Sequence, residues 1–163
     1  MQYNNEGVRR QDRLLDQLSA TKLLQQGEYG ILSMQAEISG GYGIPFSYIW
    51  NQEGSIYLHC APEGRKLRLI AHCNKVSFCV VGKTRVIPDK FTTAYESIVL
   101  ECTAITGLGA KERFKALKLL IKKYSPQHTE TGNKYIARSF ERTEIIRLDI
   151  HKWSGKAKII NNI

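Results

Sequence analysis

Short stretches of alternating apolar and polar residues dominate this chain, and a period of two is typical of β-strands with one buried face. The pattern predicts six strands, over residues 29–35, 44–51, 55–60, 75–83, 95–106 and 143–153, with turns at Gly40-Gly41 and Glu53-Gly54 and a loop at 85–93. Six short antiparallel strands at this spacing suggest a closed barrel, because closure removes exposed sheet edges. The pattern alone does not choose between a barrel and a sandwich.

Helical spacing of apolar residues marks the remaining segments. It predicts helices over residues 12–26, with a break near 19–21 left open, and over 66–73, 111–124 and 133–140, with a polar linker at 125–132. Gly27 is a plausible stop for the first helix. A chain of 163 residues with 42% hydrophobic content fits one mainly β (α+β) domain over residues 1–163.

Composition sets the expected environment. The chain shows no cationic leader followed by an apolar stretch and no apolar run long enough to cross a bilayer, so we expect a cytoplasmic protein with no membrane partner. The four cysteines, Cys60, Cys73, Cys79 and Cys102, form no C-x-x-C pair and no regular spacing with histidine. Buried free thiols are the favoured interpretation, and no metal site is predicted.

The formal net charge of +9 raises the question of an anionic partner. The positive charge is densest in the predicted helix at 111–124. Helical spacing there predicts an inner apolar stripe and an outer basic stripe. The inner stripe is Phe114, Leu117, Leu120, Ile121 and Tyr124, and the outer stripe is Lys111, Lys115, Lys118 and Lys122. A solvated amphipathic helix explains this pattern. Recruitment of anionic substrates stays open, but nucleic-acid binding is disfavoured because the lysine stripe lacks interleaved aromatic residues.

The segment from Tyr57 to Leu67 carries the strongest functional signal. It predicts a strand that passes through Gly64 into a helix beginning with Arg65 and Lys66. A helix N-terminus with two cations offers free N–H groups and positive charge to one phosphate. The segment therefore indicates a site for a phosphate-bearing cofactor.

Seven segments in order carry a family resemblance. They are RRQDR (9–13), GEYGILS (27–33), IPFSY (44–48), YLHCA with GRK (57–61 and 64–66), VSFCVVG (76–82), YESIV (95–99) and SGKA (154–157). Together they resemble the nitroimidazole-resistance (Nim) branch of the pyridoxamine 5'-phosphate oxidase-like flavin-binding split barrels, over residues 9–158. The resemblance implies a six-stranded antiparallel Greek-key split β-barrel with flanking helices. It also implies a homodimer with flavin at the interface.

The resemblance implies roles for individual residues. The cofactor-binding positions are Pro45, Phe46, Ser47, Tyr48, His59, Cys60, Ala61, Gly64, Arg65, Lys66 and Ser97. The first four match the strand beside the isoalloxazine ring, and Gly64 to Lys66 match the turn that receives the phosphate, with Lys66 the stronger candidate. His59 matches a position near the reactive part of the flavin, where it either delivers protons as the catalytic residue or only packs against the ring.

The implied function is an oxidoreductase in which FMN, with FAD also compatible, passes electrons from a reductant such as NAD(P)H to a small electron-poor acceptor such as a nitroimidazole. No G-x-G-x-x-G motif follows a strand, so a nicotinamide would dock only transiently. Segment 35–43 is longer than the family's usual turn, which affects access to the substrate side. The alternatives are a non-catalytic flavin- or haem-binding protein and a basic nucleic-acid-binding module.

Overall fold

Strands make up most of the regular structure. The computed structural model describes residues 1–36 and 40–160, so the long segment at 35–43 lies partly outside the described residues. The strands are β1 (Gln2–Tyr3), β2 (Tyr29–Gln35), β3 (Gly41–Trp50), β4 (Ser55–Cys60), β5 (Lys75–Ile87), β6 (Thr92–Ile105) and β7 (Glu144–Lys158). The helices are α1 (Gln17–Gln26), α2 (Arg65–His72), α3 (Ala110–Tyr124) and α4 (Thr129–Ser139). No helix in the described ranges is long and apolar enough to cross a membrane.

The strands form one mixed sheet in the order β1-β7-β4-β3-β2-β5-β6, and a further pairing of β6 with β7 closes a ring. All pairings within the ring are antiparallel, whereas β1 pairs parallel to β7 through Gln2 and Lys152. This mainly β α+β architecture is close to a split barrel. The sheet has seven strands and not the predicted six, because β1 is too short to show alternation in the sequence, and the predicted Greek-key order stays a prediction.

The interior of the ring is filled by the inward side of every ring strand. Its largest fully buried side chains include Trp153, Tyr48, Phe78, Leu32, Ile56, Leu58, Ile98, Leu100, Ile146 and Leu148. Leu24 of α1 and Leu69 of α2 join the same core. A second cluster lies outside the ring, where Leu117 and Leu120 of α3 and Ile136 of α4 pack on Tyr57 and Ile145. Helices α3 and α4 therefore cover the outer side of β4 and β7.

Several predicted boundaries were wrong for local reasons. The predicted loop at 85–93 is a continuation of β5 and β6, which remain paired up to Ile87 and Thr92 around a short 3-10 turn. The first helix begins at Gln17 without a break near 19–21, because the Asp16 carboxylate accepts the Ser19 N–H at 2.9 Å and caps it. The predicted linker at 125–132 is already helical from Thr129.

Strand β3 is paired unequally on its two edges. Residues Gly41 to Ser47 pair with β2, but pairing with β4 covers only Tyr48, Ile49 and Trp50. Strand β4 instead continues along β7, where His59 pairs with Ile145 and Cys60 with Glu144. The ring is therefore split between the first part of β3 and the end of β4.

Gly30 gives a direct test of the packing between β2 and β5. A Cβ atom at Gly30 would lie 2.3 Å from Phe78 Cε1 and 2.8 Å from the Cys79 carbonyl oxygen. We expect Gly30→Ala to lower the free energy of unfolding by about 1–3 kcal/mol, because neither neighbour can move freely. Urea unfolding measures the change. The control is Gly41→Ala, whose Cβ would meet only an ordinary contact of 3.8 Å; equal stability of both variants would contradict the packing.

Candidate functional site

The split leaves backbone groups of β3 facing a gap. The Tyr48 N–H is directed to the β2 side, where it donates to Tyr124 Oη, whereas the Asn51 N–H donates to Ser55 O of β4. Successive backbone groups alternate between the two neighbours of a strand. The groups of Gly43 and Pro45 thus face β4, and within the described ranges no strand pairs with them there. Proline suits this edge because it has no N–H to donate.

Helix α2 begins at the same gap. Its first helical hydrogen bond runs from the Arg68 N–H to Gly64 O, and no side chain caps its N-terminus. The amides of residues 65–67 therefore precede the helical ladder and are available to an acceptor. Gly64 has a φ of 129°, which favours glycine. A Cβ there would lie 3.8 Å from Lys66 Nζ, so the ammonium folds back over the turn.

The two predicted cations differ in their surroundings. The Arg65 guanidinium stacks on the Tyr42 ring of β3, 4.3 Å from its centroid, and this cation–π contact ties the start of α2 to the split edge. The Lys66 ammonium instead acts on the Cys60 thiol at the end of β4. Burial raises the pKa of Cys60, and the positive charge of Lys66 opposes that rise. Lys66 is therefore the cation that lies between the end of β4 and the Gly64 turn.

Only some of the predicted side chains point out of the ring. Tyr48 is fully buried, and Phe46 and Cys60 pack against the core. Pro45, Ser47 and His59 alternate with these residues and are exposed on the outer side, and Ala61 is exposed beyond the end of β4. A ligand at the split can thus meet the side chains of Pro45, Ser47 and His59. It can meet Phe46, Tyr48 and Cys60 only through their backbone.

His59 is exposed, yet neighbouring protein atoms partly desolvate its ring. This desolvation lowers the pKa of His59 below the ordinary value of 6.5, since it disfavours the charged imidazolium. The ring is therefore mainly neutral at pH 7. A neutral imidazole at the outer edge of β4 can exchange a proton with a bound molecule.

Ser97 lies apart from the other predicted residues. It pairs with Val81 of β5 and with Lys156 of β7, whereas His59 pairs with Ile145 at the start of β7. Eleven residues of β7 separate these two partners, which corresponds to about 35 Å along an extended strand. Within one chain, the fold brings together the predicted residues of β3, β4 and α2 but not Ser97.

Two functional candidates at the end of α3 were missed by sequence reasoning. Lys123 Nζ donates to Gly27 O at 2.7 Å and to Tyr48 O at 2.9 Å, and it lies 3.8 Å from the Tyr48 ring centroid. Burial lowers the pKa of Lys123 to about 8. Tyr124 Oη contacts Tyr48 and Glu28, and this side chain was wrongly placed in the inner stripe of α3. The available signal was that Lys123 falls outside the spacing of the outer lysine stripe.

The outer lysines themselves are solvated. Lys111, Lys115, Lys118 and Lys122 are exposed, and none makes an ion pair with the part of the chain that is described. Phe114, predicted to be inside, is 38% exposed and lies under Lys118 Nζ at 4.8 Å while its edge meets Phe140. The stripe therefore carries one ring at its border, which the sequence pattern did not predict.

The chain belongs to the pyridoxamine 5'-phosphate oxidase family, whose model matches residues 16–157. This confirms the family resemblance drawn from the seven sequence segments. A comparison with curated protein sequences found no match.

Similar solved structures share the fold at low identity. One is a candidate 5-nitroimidazole antibiotic resistance protein from Bacteroides thetaiotaomicron, with a TM-score of 0.71 and 14% identity over 89% of this chain and 86% of that one. A second is an FAD and haem binding protein from Mycobacterium smegmatis, with a TM-score of 0.75 and 15% identity over 91% and 75%. A third is a flavocytochrome from Azotobacter vinelandii, with a TM-score of 0.73 and 17% identity over 91% of this chain and 70% of that one.

The environment of His59 leads to a pH prediction. Because its pKa in the folded protein is below that of the unfolded chain, the unfolded chain binds more protons as the pH falls through 6.5. We therefore expect His59 to reduce stability below this pH and its ring to titrate with a midpoint below 6.5. NMR titration of the ring measures the midpoint, with the urea-unfolded protein as the control. A midpoint equal to or above that of the unfolded chain would contradict the desolvated position.

Proposed function

We propose that this protein is a homodimeric flavin-binding oxidoreductase that transfers electrons from a reductant such as NAD(P)H to a small electron-poor acceptor such as a nitroimidazole. The single observation that carries the proposal is the meeting of the unpaired edge of β3 with the uncapped N-terminus of α2. One side of this gap offers peptide groups to a flat polar ring, and the other offers amides and a cation to a phosphate.

The chemistry of the residues at the split fits FMN. The phosphate would lie on the amides of residues 65–67 with Lys66 Nζ, which folds back over the Gly64 turn, as its counter-ion. The backbone of Gly43 to Ser47 would face the polar edge of the ring. FAD is also compatible, because one of the similar structures is described as an FAD and haem binding protein. The flavin supplies the redox chemistry, and the protein supplies binding and orientation.

His59 is the proposed proton donor to the reduced acceptor. It is the titratable side chain that points outward from β4 next to the split, and because desolvation lowers its pKa below 6.5, the charged imidazolium that would donate the proton becomes populated as the pH falls below that value. The alternative is a non-catalytic flavin- or haem-binding protein, which would use the same contacts without turnover.

A second copy of the chain is the proposed partner on the outer face of β2, β5 and β6. Pro45, Ile31, Cys79 and Val99 are successive cross-strand partners and form an apolar row on this face. Beside this row, Tyr29 is 48% exposed, Val81 38%, and Val99 itself 43%. Ser97, which lies on the same face beside Val81, would then serve the cofactor bound between the subunits. Contiguous exposed apolar surface of this kind marks interaction sites.

The cofactor is tested first by purifying the protein without added flavin and identifying the released chromophore by mass after denaturation. We expect FMN or FAD, with NAD(P)H oxidation that depends on an added nitro compound. Bound flavin without acceptor-dependent turnover would favour the non-catalytic alternative. A colourless protein that also refuses added flavin would overturn the proposal, and salt-sensitive binding of nucleic acid would then become the function to test.

The phosphate contact is tested by Lys66→Ala. Loss of a charge-assisted hydrogen bond should weaken flavin binding by about 1.5–3 kcal/mol, measured by quenching of flavin fluorescence. The control is Lys111→Ala on the outer stripe of α3, which should leave the affinity unchanged. Equal affinities of the two variants would remove Lys66 from the site.

The dimer is tested by Val99→Glu. A charge in the centre of the apolar row should convert a particle of twice the 18.6 kDa chain mass into a monomer and weaken flavin binding in parallel. Sedimentation equilibrium measures the mass. Val86→Glu, at a more exposed position (69%) on the hairpin beyond the pairing with β2, is the matched control. A monomeric unaltered protein would refute the proposed interface.

A further inference from the structure

The end of α3 interrupts the ladder between β2 and β3. The last pair of this ladder is Tyr29 with Ser47, so the next pair would join Glu28 to Tyr48. In its place, Tyr124 Oη lies 2.8 Å from Tyr48 N and 2.6 Å from Glu28 O. The phenol hydroxyl accepts the Tyr48 N–H and can donate its single hydrogen to the Glu28 carbonyl. It therefore bridges two strands that do not pair directly at this point.

Lys123 completes the bridge from the neighbouring position. The hydroxyl has only one hydrogen, so it cannot serve both Glu28 O and Tyr48 O, which lies 2.8 Å from it. Lys123 Nζ donates to Tyr48 O and also to Gly27 O, the residue at which α1 ends. Both backbone groups of Tyr48 are thus satisfied by α3. The Tyr48 ring itself is held by its hydroxyl, which donates to Leu24 O of α1 at 2.6 Å.

This bridge lies at the base of the split. Tyr48 is the first residue of β3 that pairs with β4, and Ser47, which precedes it, is the last that pairs with β2. Burial raises the pKa of Tyr124, and the Tyr48 backbone and the Ser47 side chain oppose that rise. A cavity of about 680 Å³ lined by Ser47, Lys123 and Tyr124 opens at this point.

We propose that Tyr124 and Lys123 are positioning residues that fix the direction of the β3 edge offered to the flavin. The proposal rests on the proposed function, since it concerns the same edge of β3. The bridge holds Tyr48 on the β2 side, and alternation of the backbone then directs the groups of Ser47, Pro45 and Gly43 into the split. Without the bridge, the backbone groups of Tyr48 lose their partners on the β2 side, so the end of the β2–β3 ladder next to the split can shift.

If Tyr124 only anchored α3 to the ring, its loss would have the same effect on flavin binding as the loss of any other anchor of α3. The other half of α3 has its own anchor, where the Tyr57 hydroxyl donates to Glu112 Oε1 at 3.0 Å and Arg147 contacts the same oxygen at 2.8 Å. Removing one hydroxyl from either anchor loosens α3 from the ring by a comparable amount. Tyr57→Phe is therefore a matched control for Tyr124→Phe, because of these two hydroxyls only that of Tyr124 contacts the backbone of β3.

The experiment compares the two variants for flavin affinity, for the absorption spectrum of the bound flavin and for the midpoint potential. We expect Tyr124→Phe to raise the dissociation constant of FMN about tenfold and to shift the spectrum and the potential, because a misdirected edge alters the hydrogen bonds to the ring. The FMN dissociation constant of Tyr57→Phe should stay within about twofold of that of the unaltered protein, with an unshifted spectrum and potential. We expect this even where the melting temperature of Tyr57→Phe falls as far as that of Tyr124→Phe.

The outcomes separate this inference from the proposed function. Equal affinity, spectrum and potential in the two variants, with flavin bound by the unaltered protein, would overturn the positioning role and leave the function standing. Failure of the unaltered protein to bind any flavin would overturn both. If Tyr124→Phe does not fold, Lys123→Met replaces it, since this change keeps the Tyr124 bridge and removes the Lys123 bonds to Tyr48 O and Gly27 O. Unchanged binding and potential in that variant would also overturn the inference.

Discussion

The early end of the pairing between β3 and β4 is the constraint on which the rest of this structure depends. A fully closed ladder would occupy the backbone of β3 on both edges and leave no polar groups for a ligand. Because pairing with β4 stops at Tyr48, the first half of β3 keeps one edge free while β2 holds the other. Strand β4 stays held in the sheet beyond this point, since its last residues pair with β7. The split is therefore compatible with a stable ring and creates the candidate site at the same time.

Three helices contact the residues around this opening from different sides. Helix α2 places Gly64 and Lys66 at its mouth, and the stacking of Arg65 on Tyr42 fixes the distance between the helix and β3. Helix α3 reaches its base through Lys123 and Tyr124, and the end of α1 supplies one of the carbonyls that Lys123 binds. These contacts come from segments far apart in the chain. The shape of the site is consequently a property of the whole ring and its helices.

Electrostatics divides the basic residues into two groups. The outer lysines of α3 are solvated and contribute to the net charge of +9 without an ion-pair partner among the described residues. Lys123 is instead held against two backbone carbonyls near the split, and Lys66 folds back over the Gly64 turn. Lys123 is partly buried with a pKa lowered to about 8, but its two carbonyl contacts make it a structural donor first. An overall basic composition therefore says little about function here, whereas the positions of these two lysines say much more.

The sequence by itself determined the strand bounds at 29–35 and 55–60, the helix after Gly64 and the family, because alternation, breakers and ordered motifs are local signals. It also indicated Lys66 and His59 as site residues, whose chemical roles remain proposals. Only the tertiary structure decided that Phe46, Tyr48 and Cys60 face inward, that Ser97 lies apart, and that Lys123 and Tyr124 hold the β3 backbone. The physical reason is that ladder register and helix docking depend on residues more than seventy positions apart, which no local pattern records.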